Sequence, residues 1–318
     1  MIERIVRRLT GTALAITLTI APASAAEKVK VAIGQLGLWD TMTTVFADRK
    51  GYFKELGLDV EYIRTAGGAE TAQAVLTGSN QFGMSMGILA AIAAYAKGAP
   101  MRIVSSEIIG TPDIFWFVRA DSKLKTVNDI NGAKIPYSRP GSGTHMTLLS
   151  LLDQTKLTPK LVSVGGPAAS RTQLMSGQMD AAWSVPPFAL DLVESGKARI
   201  LFTGDIVKSL ADVTIRVNVV NADWLAKNRE TAKKFMQAYK RALEWQYGEG
   251  KEEATKYFAE RNKISLENAR AAVKFYKPEN VALEVANLGK AVDLALKYKR
   301  ITKPLTAEQQ SQLVVKLY

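Results

Sequence analysis

The sequence predicts an α/β protein of two similar lobes, each a mainly parallel sheet flanked by helices, with two strands passing between them. Three observations carry this. Short β-branched or aromatic runs alternate with helical stretches through 28–109, the pattern of strands joined by helical crossovers. A strand, a glycine-rich turn, a short helix containing Gln, a glycine cap and a further strand occur over 58–86 and again over 160–183, with the caps Gly78 and Gly177 lying 99 residues apart. Two further strand-like runs, 115–119 and 213–220, fall where the chain would cross from one lobe to the other.

Taken in order, Val29, Val31 and Ile33 share one face of a first strand, and a helix follows from about Thr41. Residues 59–63 alternate as a second strand. Residues 70–77 form a helix stopped by Gly78, 82–86 a third strand, 88–97 a helix closed by Gly98, and 102–109 a fourth strand. The run 134–137 is a strand that opens into a glycine-rich bend and a helix bearing Met146, Leu148, Leu149, Leu151 and Leu152. Beyond 220 the chain turns helical. Ala232, Phe235, Met236, Tyr239, Ala242 and Leu243 form one apolar stripe, Leu288, Ala291, Val292, Ala295 and Tyr298 another, and Ser265 is a candidate helix cap. The expected division is a leader over 1–26, a first lobe over 27–115 plus 222–318, and a second lobe over 116–221.

Arg4, Arg7 and Arg8 precede an apolar stretch and an Ala23-Ser24-Ala25 cleavage pattern, which predicts a secretory signal peptide and a periplasmic mature protein. The 318 residues contain 47% hydrophobic and 23% charged residues, as globular proteins do. The absence of Cys excludes a disulfide framework, a thiolate metal site and a cysteine nucleophile, so an apolar core must carry stability. The formal charge is +12, or +10 without the leader's three arginines and one glutamate. In an exported protein that excess favours anionic solutes or an anionic membrane surface over nucleic acid.

The stretch Tyr137-Ser138-Arg139-Pro140-Gly141-Ser142-Gly143-Thr144-His145 runs from a strand into a helix. Free amides at a helix start, glycines that admit a ligand to the backbone, the hydroxyls of Ser142 and Thr144, and the guanidinium of Arg139 are the parts of an anion cradle. An ordinary strand-to-helix turn with a Ser or Thr cap would read the same way. Arg216, on the run 213–220, is a second candidate for an anionic ligand.

Three motifs carry a resemblance. Gly51-Tyr52-Phe53-Lys54-Glu55-Leu56-Gly57-Leu58-Asp59-Val60-Glu61, followed by Gly67-Gly68, is similar to the first-lobe signature of the nitrate/sulfonate/taurine (NMT1/THI5-like) solute-binding proteins of ABC importers. Val127-Asn128-Asp129-Ile130-Asn131-Gly132-Ala133-Lys134 resembles that family's second-lobe opening, and Ser176-Gly177-Gln178-Met179-Asp180-Ala181-Ala182-Trp183 with Pro186 its Gly-Gln-Val-Asp-Ala segment. The resemblance implies a type II periplasmic-binding-protein fold with a two-strand hinge. It further implies a monomer that needs no cofactor or metal, closes over one small ligand and delivers it to an inner-membrane ABC permease. By position it places Leu38, Trp39, Gly67, Gly68, Met84, Ser85 and Met86 at the ligand in the first lobe. In the second lobe it places Ser142, Gly143, Thr144, Trp183 and Pro186. The two tryptophans would be flat walls for an aromatic or alkyl body.

The expected ligand is a sulfonate or carboxylate. Nitrate, a thiamine-pyrimidine precursor, or a receptor role in a tripartite (TRAP-type) transporter fit the same pattern. An exported hydrolase using Ser142 and His145 is the rival from another class. Gly141-Ser142-Gly143 lacks the Gly-x-Ser-x-Gly spacing of a nucleophile elbow, and adjacent side chains at a helix start diverge. The loop also lacks the Gly-Lys-Ser/Thr of a phosphate-binding NTPase, and the pyrimidine-synthesising branch of the family uses a cysteine-rich motif that this chain does not have.

Overall fold

The structure is a computed structural model that describes residues 26–318; the predicted leader lies outside the described residues, except for Ala26. In the first lobe, β1 (Glu27–Gly34) pairs in parallel with β2 (Leu58–Thr65) and β3 (Phe82–Gly87). The strand β4 (Met101–Ile109) completes the lobe's own run. Inserted antiparallel between β3 and β4 is a strand from much later in the chain, β10 (Thr214–Asn221), giving the order β2-β1-β3-β10-β4.

The second lobe repeats this plan. Its first strand in sequence, β5 (Phe115–Arg119), lies antiparallel between β8 (Ala182–Ser184) and β9 (Ala198–Thr203). A parallel pair, β6 (Lys134–Tyr137) and β7 (Lys160–Ser163), stands beside β8. There the Asp180 N–H donates to the Lys134 carbonyl at 3.3 Å, and the Lys134 N–H to the Asp180 carboxylate at 2.7 Å. The three-stranded sheet β8-β5-β9 and the pair β6-β7 thus lie side by side, with β5 between its neighbours as β10 is in the first lobe. The echoed caps sit at matching places, with φ of 73° at Gly78 and 75° at Gly177.

Strand pairing shifts the expected lobe boundary. All eight residues of β10 are buried, and its Val/Ile-rich sequence belongs to a strand covered on both faces in the first sheet, not to the second lobe. The segments that pass between the sheets are therefore short, 110–114 and 204–213. They also pack closely: a Cβ on Gly204 would lie 2.6 Å from the Thr111 carbonyl oxygen.

Aromatic packing anchors each lobe. Phe235, from the helix Arg229–Tyr247, stacks on Phe82 at 4.1 Å and on Phe53 at 5.0 Å. In the second lobe Trp116 stacks on Phe202 at 4.8 Å and donates its indole N–H to the Pro136 carbonyl at 2.9 Å. The predicted stripe on Arg229–Tyr247 is buried except for half-buried Leu243, and Ser265 caps Leu266–Val273 by accepting from the Asn268 N–H. The C-terminal helices cover the first lobe and also reach across. The Tyr276 hydroxyl donates to the Pro186 carbonyl at 3.1 Å, and Tyr298 meets Asp153 at 2.7 Å and Ser150 at 2.9 Å on the helix Gly143–Thr155. No helix among the described residues is long and apolar enough to cross a membrane.

Candidate functional site

The carboxyl ends of the parallel strands in both sheets point toward one another, which is where open α/β sheets hold ligands. Between them lies a cavity of about 270 Å³. The first lobe contributes the turn after β2 (Ala66 to Ala69), Ser85 to Gly87 at the end of β3, and Arg216 from β10. The second contributes Ser138 to Pro140 and Ser142 to Thr144 after β6, Gly165 after β7, and Trp183 with Val185 at β8. The lobes touch at its rim: a Cβ on Gly87 would fall 2.6 Å from the Gly141 carbonyl oxygen and 3.1 Å from Ser142 Cα.

Two helices begin at this cavity, one from each lobe. In Gly68–Leu76 the Glu70 and Thr71 N–H groups both donate to the Gly67 carbonyl, which leaves the amides of Gly68 and Ala69 at the cavity wall. Gly67 sits at φ 143°, a conformation open to glycine. In Gly143–Thr155 the His145 N–H donates to Ser142 Oγ and the Met146 N–H to the Ser142 carbonyl, leaving the amides of Gly143 and Thr144. Four helix-start amides, backed by two helix dipoles, thus belong to residues that line one space. Gly143 admits no side chain, since a Cβ there would meet Ile215 at 2.9 Å.

The Ser142 and Thr144 hydroxyls, expected to serve a ligand, hold the loop. They bond each other at 2.9 Å, and Thr144 Oγ1 accepts the Ser138 N–H at 2.8 Å. Arg139 lines the cavity and forms no ion pair among the described residues. His145 Nδ1 accepts the Gly141 N–H at 3.2 Å and its ring stacks on Tyr137 at 4.4 Å, so the imidazole is turned away from the Ser142 hydroxyl that a hydrolytic pair would require. Burial, with the charge of Arg300 added, lowers its pKa to about 4.

Arg216 sits on the cavity floor, 9% exposed. Its Nη2 donates to Asp40 at 2.5 Å and to Asp113 at 2.6 Å. A third buried carboxyl, Glu107 on β4, lies behind them. Burial, and next the Asp40 charge, push the Glu107 carboxyl well above the usual range. Burial also raises Asp113, against the pull of Arg216. Burial opposes the charge of Arg216 itself, but Asp113 and Asp40, and after them Glu107, raise its pKa well above the usual range.

Of the fourteen residues singled out from the sequence, ten line the cavity: Gly67, Gly68, Ser85, Met86, Arg139, Ser142, Gly143, Thr144, Trp183 and Arg216. Leu38, Trp39, Met84 and Pro186 do not. The fully buried Trp39 ring is set edge-on to Phe46, Tyr247 and Phe258, and Leu38 is buried beside it. Ser85 adopts φ 64°, which breaks the strand's alternation, and Met86 but not Met84 reaches the cavity. The Pro186 carbonyl is taken by Tyr276. Sequence reasoning missed Gln35, Ala66, Ala69 and Ala90, whose small or neutral side chains carry no chemical signal, and the acids clustered on Arg216.

Residues 40–253 match the family model described as NMT1/THI5 like. The chain belongs to the NMT1/THI5-like family. Among this family member's relatives, an Escherichia coli (strain K12) protein named for binding aliphatic sulfonates is 30% identical over 149 residues, 46% of each chain. The Bacillus subtilis (strain 168) protein YtlA, named as a binding protein, is 24% identical over 204 residues, 63% of this chain and 60% of that one. The chain thus spans less than two thirds of either relative's length. The solved alkanesulfonate-binding protein SsuA of Xanthomonas axonopodis pv. citri superposes with a TM-score of 0.76 at 20% identity, over 92% of this chain and all of that one, and so shares the fold.

Proposed function

We propose that this NMT1/THI5-like protein is the exported solute-binding component of an ABC importer, capturing a small organic acid, a sulfonate or carboxylate, between its lobes. The carrying observation is the convergence of four amides, two from each lobe, on one cavity beside Arg139. Partial positive charge at both helix starts suits a compact anionic head, and donors from opposite lobes make the head itself the bond that closes them. Ala72, Ala90, Ile114, Val185 and the Trp183 ring give the rest of the ligand an apolar enclosure. A bare nitrate ion would leave most of that space to water. The names of the sulfonate-binding relatives support the same class.

The function is carried out by binding and release. Ligand binds the open form, the lobes rotate about the segments 110–114 and 204–213, and the closed form is presented to the permease. The test is a thermal-shift screen of the purified mature chain against alkanesulfonates, carboxylates, nitrate and pyrimidines. A ligand at a hundred times its Kd stabilises by about 2.7 kcal/mol, a rise of several degrees in Tm. A response confined to neutral pyrimidines, or turnover of an added ester or amide, would refute the proposal.

A further inference from the structure

Two donors on cavity-lining residues are left without partners among the described residues. Trp183 is 2% exposed. Its backbone N–H is used by Ser170 Oγ at 2.9 Å, but its indole Nε1 is buried with no hydrogen-bond partner. Arg216 spends only Nη2 on its carboxylates, and its Nε is likewise buried and unpartnered. Buried donors are almost always satisfied, so two orphans bordering one cavity mark a place that a ligand completes. Neither belongs to the amide set after β2 and β6.

The charge around Arg216 limits what that completing group can be. One guanidinium faces the carboxylates of Asp40 and Asp113, and Glu107 stands behind. Whatever the state of Glu107, the single positive charge of the cluster is already shared between the carboxyl groups of Asp40 and Asp113. The cluster has hydrogen bonds to donate but no positive charge to spare, and a second acid group placed there would meet like charge at close range. Of the two lining guanidiniums, Arg139 forms no ion pair among the described residues and is the one available to meet an anion.

We infer that the ligand is a monoanion carrying, apart from its acid head, a neutral hydrogen-bond acceptor such as a hydroxyl, carbonyl or ether oxygen, received by Trp183 Nε1 and Arg216, and that Asp40 and Asp113 select against a second acid. This rests on the acid-binding reading above and narrows its substrate class.

The test is calorimetric titration of the full mature chain with two matched sets: propanesulfonate, its terminally hydroxylated analogue and propanedisulfonate; and butyrate, γ-hydroxybutyrate and succinate. The hydroxylated member should bind about tenfold more tightly than the plain acid, and the doubly charged member more weakly than the plain one. In Trp183→Phe, which keeps a ring but removes the donor, the ratio of hydroxylated to plain affinity should fall toward one. The wild-type series decides the matter even if that variant folds poorly. Equal binding of plain and hydroxylated acids, or tightest binding of the doubly charged ones, overturns this inference and leaves the acid-binding reading standing. No heat with any of these acids overturns both.

Discussion

Replacing Gly87 by alanine should hold the lobes apart without unfolding either. Gly87 closes β3 at φ −62° and ψ 131°, values any residue adopts, so the new methyl strains no backbone. Its obstacle is the other lobe, where the Cβ would lie 2.6 Å from the Gly141 carbonyl oxygen. Ordinary contact begins near 3.4 Å, so the rim must open by roughly 0.8 Å, a gap that forfeits a large part of any contact across it. A ligand gripped from both sides then loses about one charge-assisted hydrogen bond, roughly 1.5–3 kcal/mol, or about a 10- to 100-fold weaker Kd. Calorimetry with the tightest acid from the screen gives Kd, and thermal unfolding without ligand should place the variant within about a degree of wild type, because the clash exists only when the lobes meet. A Kd within twofold of wild type would show that the Gly87–Gly141 approach is no part of the bound state.

Three further outcomes follow from the site. Arg139→Ala should remove most of the acid-induced rise in Tm, a loss of about 1.5–3 kcal/mol in binding, with unliganded stability unchanged; an undiminished rise refutes its role at the acid head. Arg216→Met strands Asp40 and Asp113 as uncompensated buried carboxylates and should cost about 3–5 kcal/mol in urea unfolding at neutral pH, and a loss under about 1 kcal/mol would mean that the carboxylates find other partners. His145 has its pKa lowered from 6.5 to about 4, so the folded state binds the proton more weakly than the unfolded state does. Its contribution is complete above pH 6.5 and is lost as pH falls toward 4. Wild type should therefore lose more stability over that window than His145→Gln, and parallel curves for the two would refute the assignment.

What the chain disclosed in advance was mostly local. Val29, Val31 and Ile33 on one face, the caps Gly78 and Gly177, and the glycine-rich passage into Thr144 each declare themselves within a few residues, and the structure has them as read. Partners distant in sequence were not legible. Nothing within 213–220 says that β10 inserts between β3 and β4, since strand pairing is decided by which apolar faces remain uncovered. Trp39 looked like a cavity wall because large aromatics serve cavities and cores alike; its neighbours Tyr247 and Phe258 arrive some two hundred residues later. The Ser142 and Thr144 hydroxyls were legible as cavity residues, but their second duty was not, because a loop this tight also uses them to hold its own backbone. Asp40, Glu107 and Asp113 come from three separate segments and meet only after folding.

The phenols of Tyr276 and Tyr298 make the mouth of this molecule more than a two-jointed device. Both stem from the part of the chain that clothes the first lobe, yet each is fastened to the second, one on the Pro186 carbonyl and the other on Ser150 and Asp153. Every gape of the mouth must peel these fastenings away. The lifetime of a captured molecule is thus governed in part by tyrosines that line no part of its chamber, and a change there would alter how long cargo is held without altering which cargo is chosen.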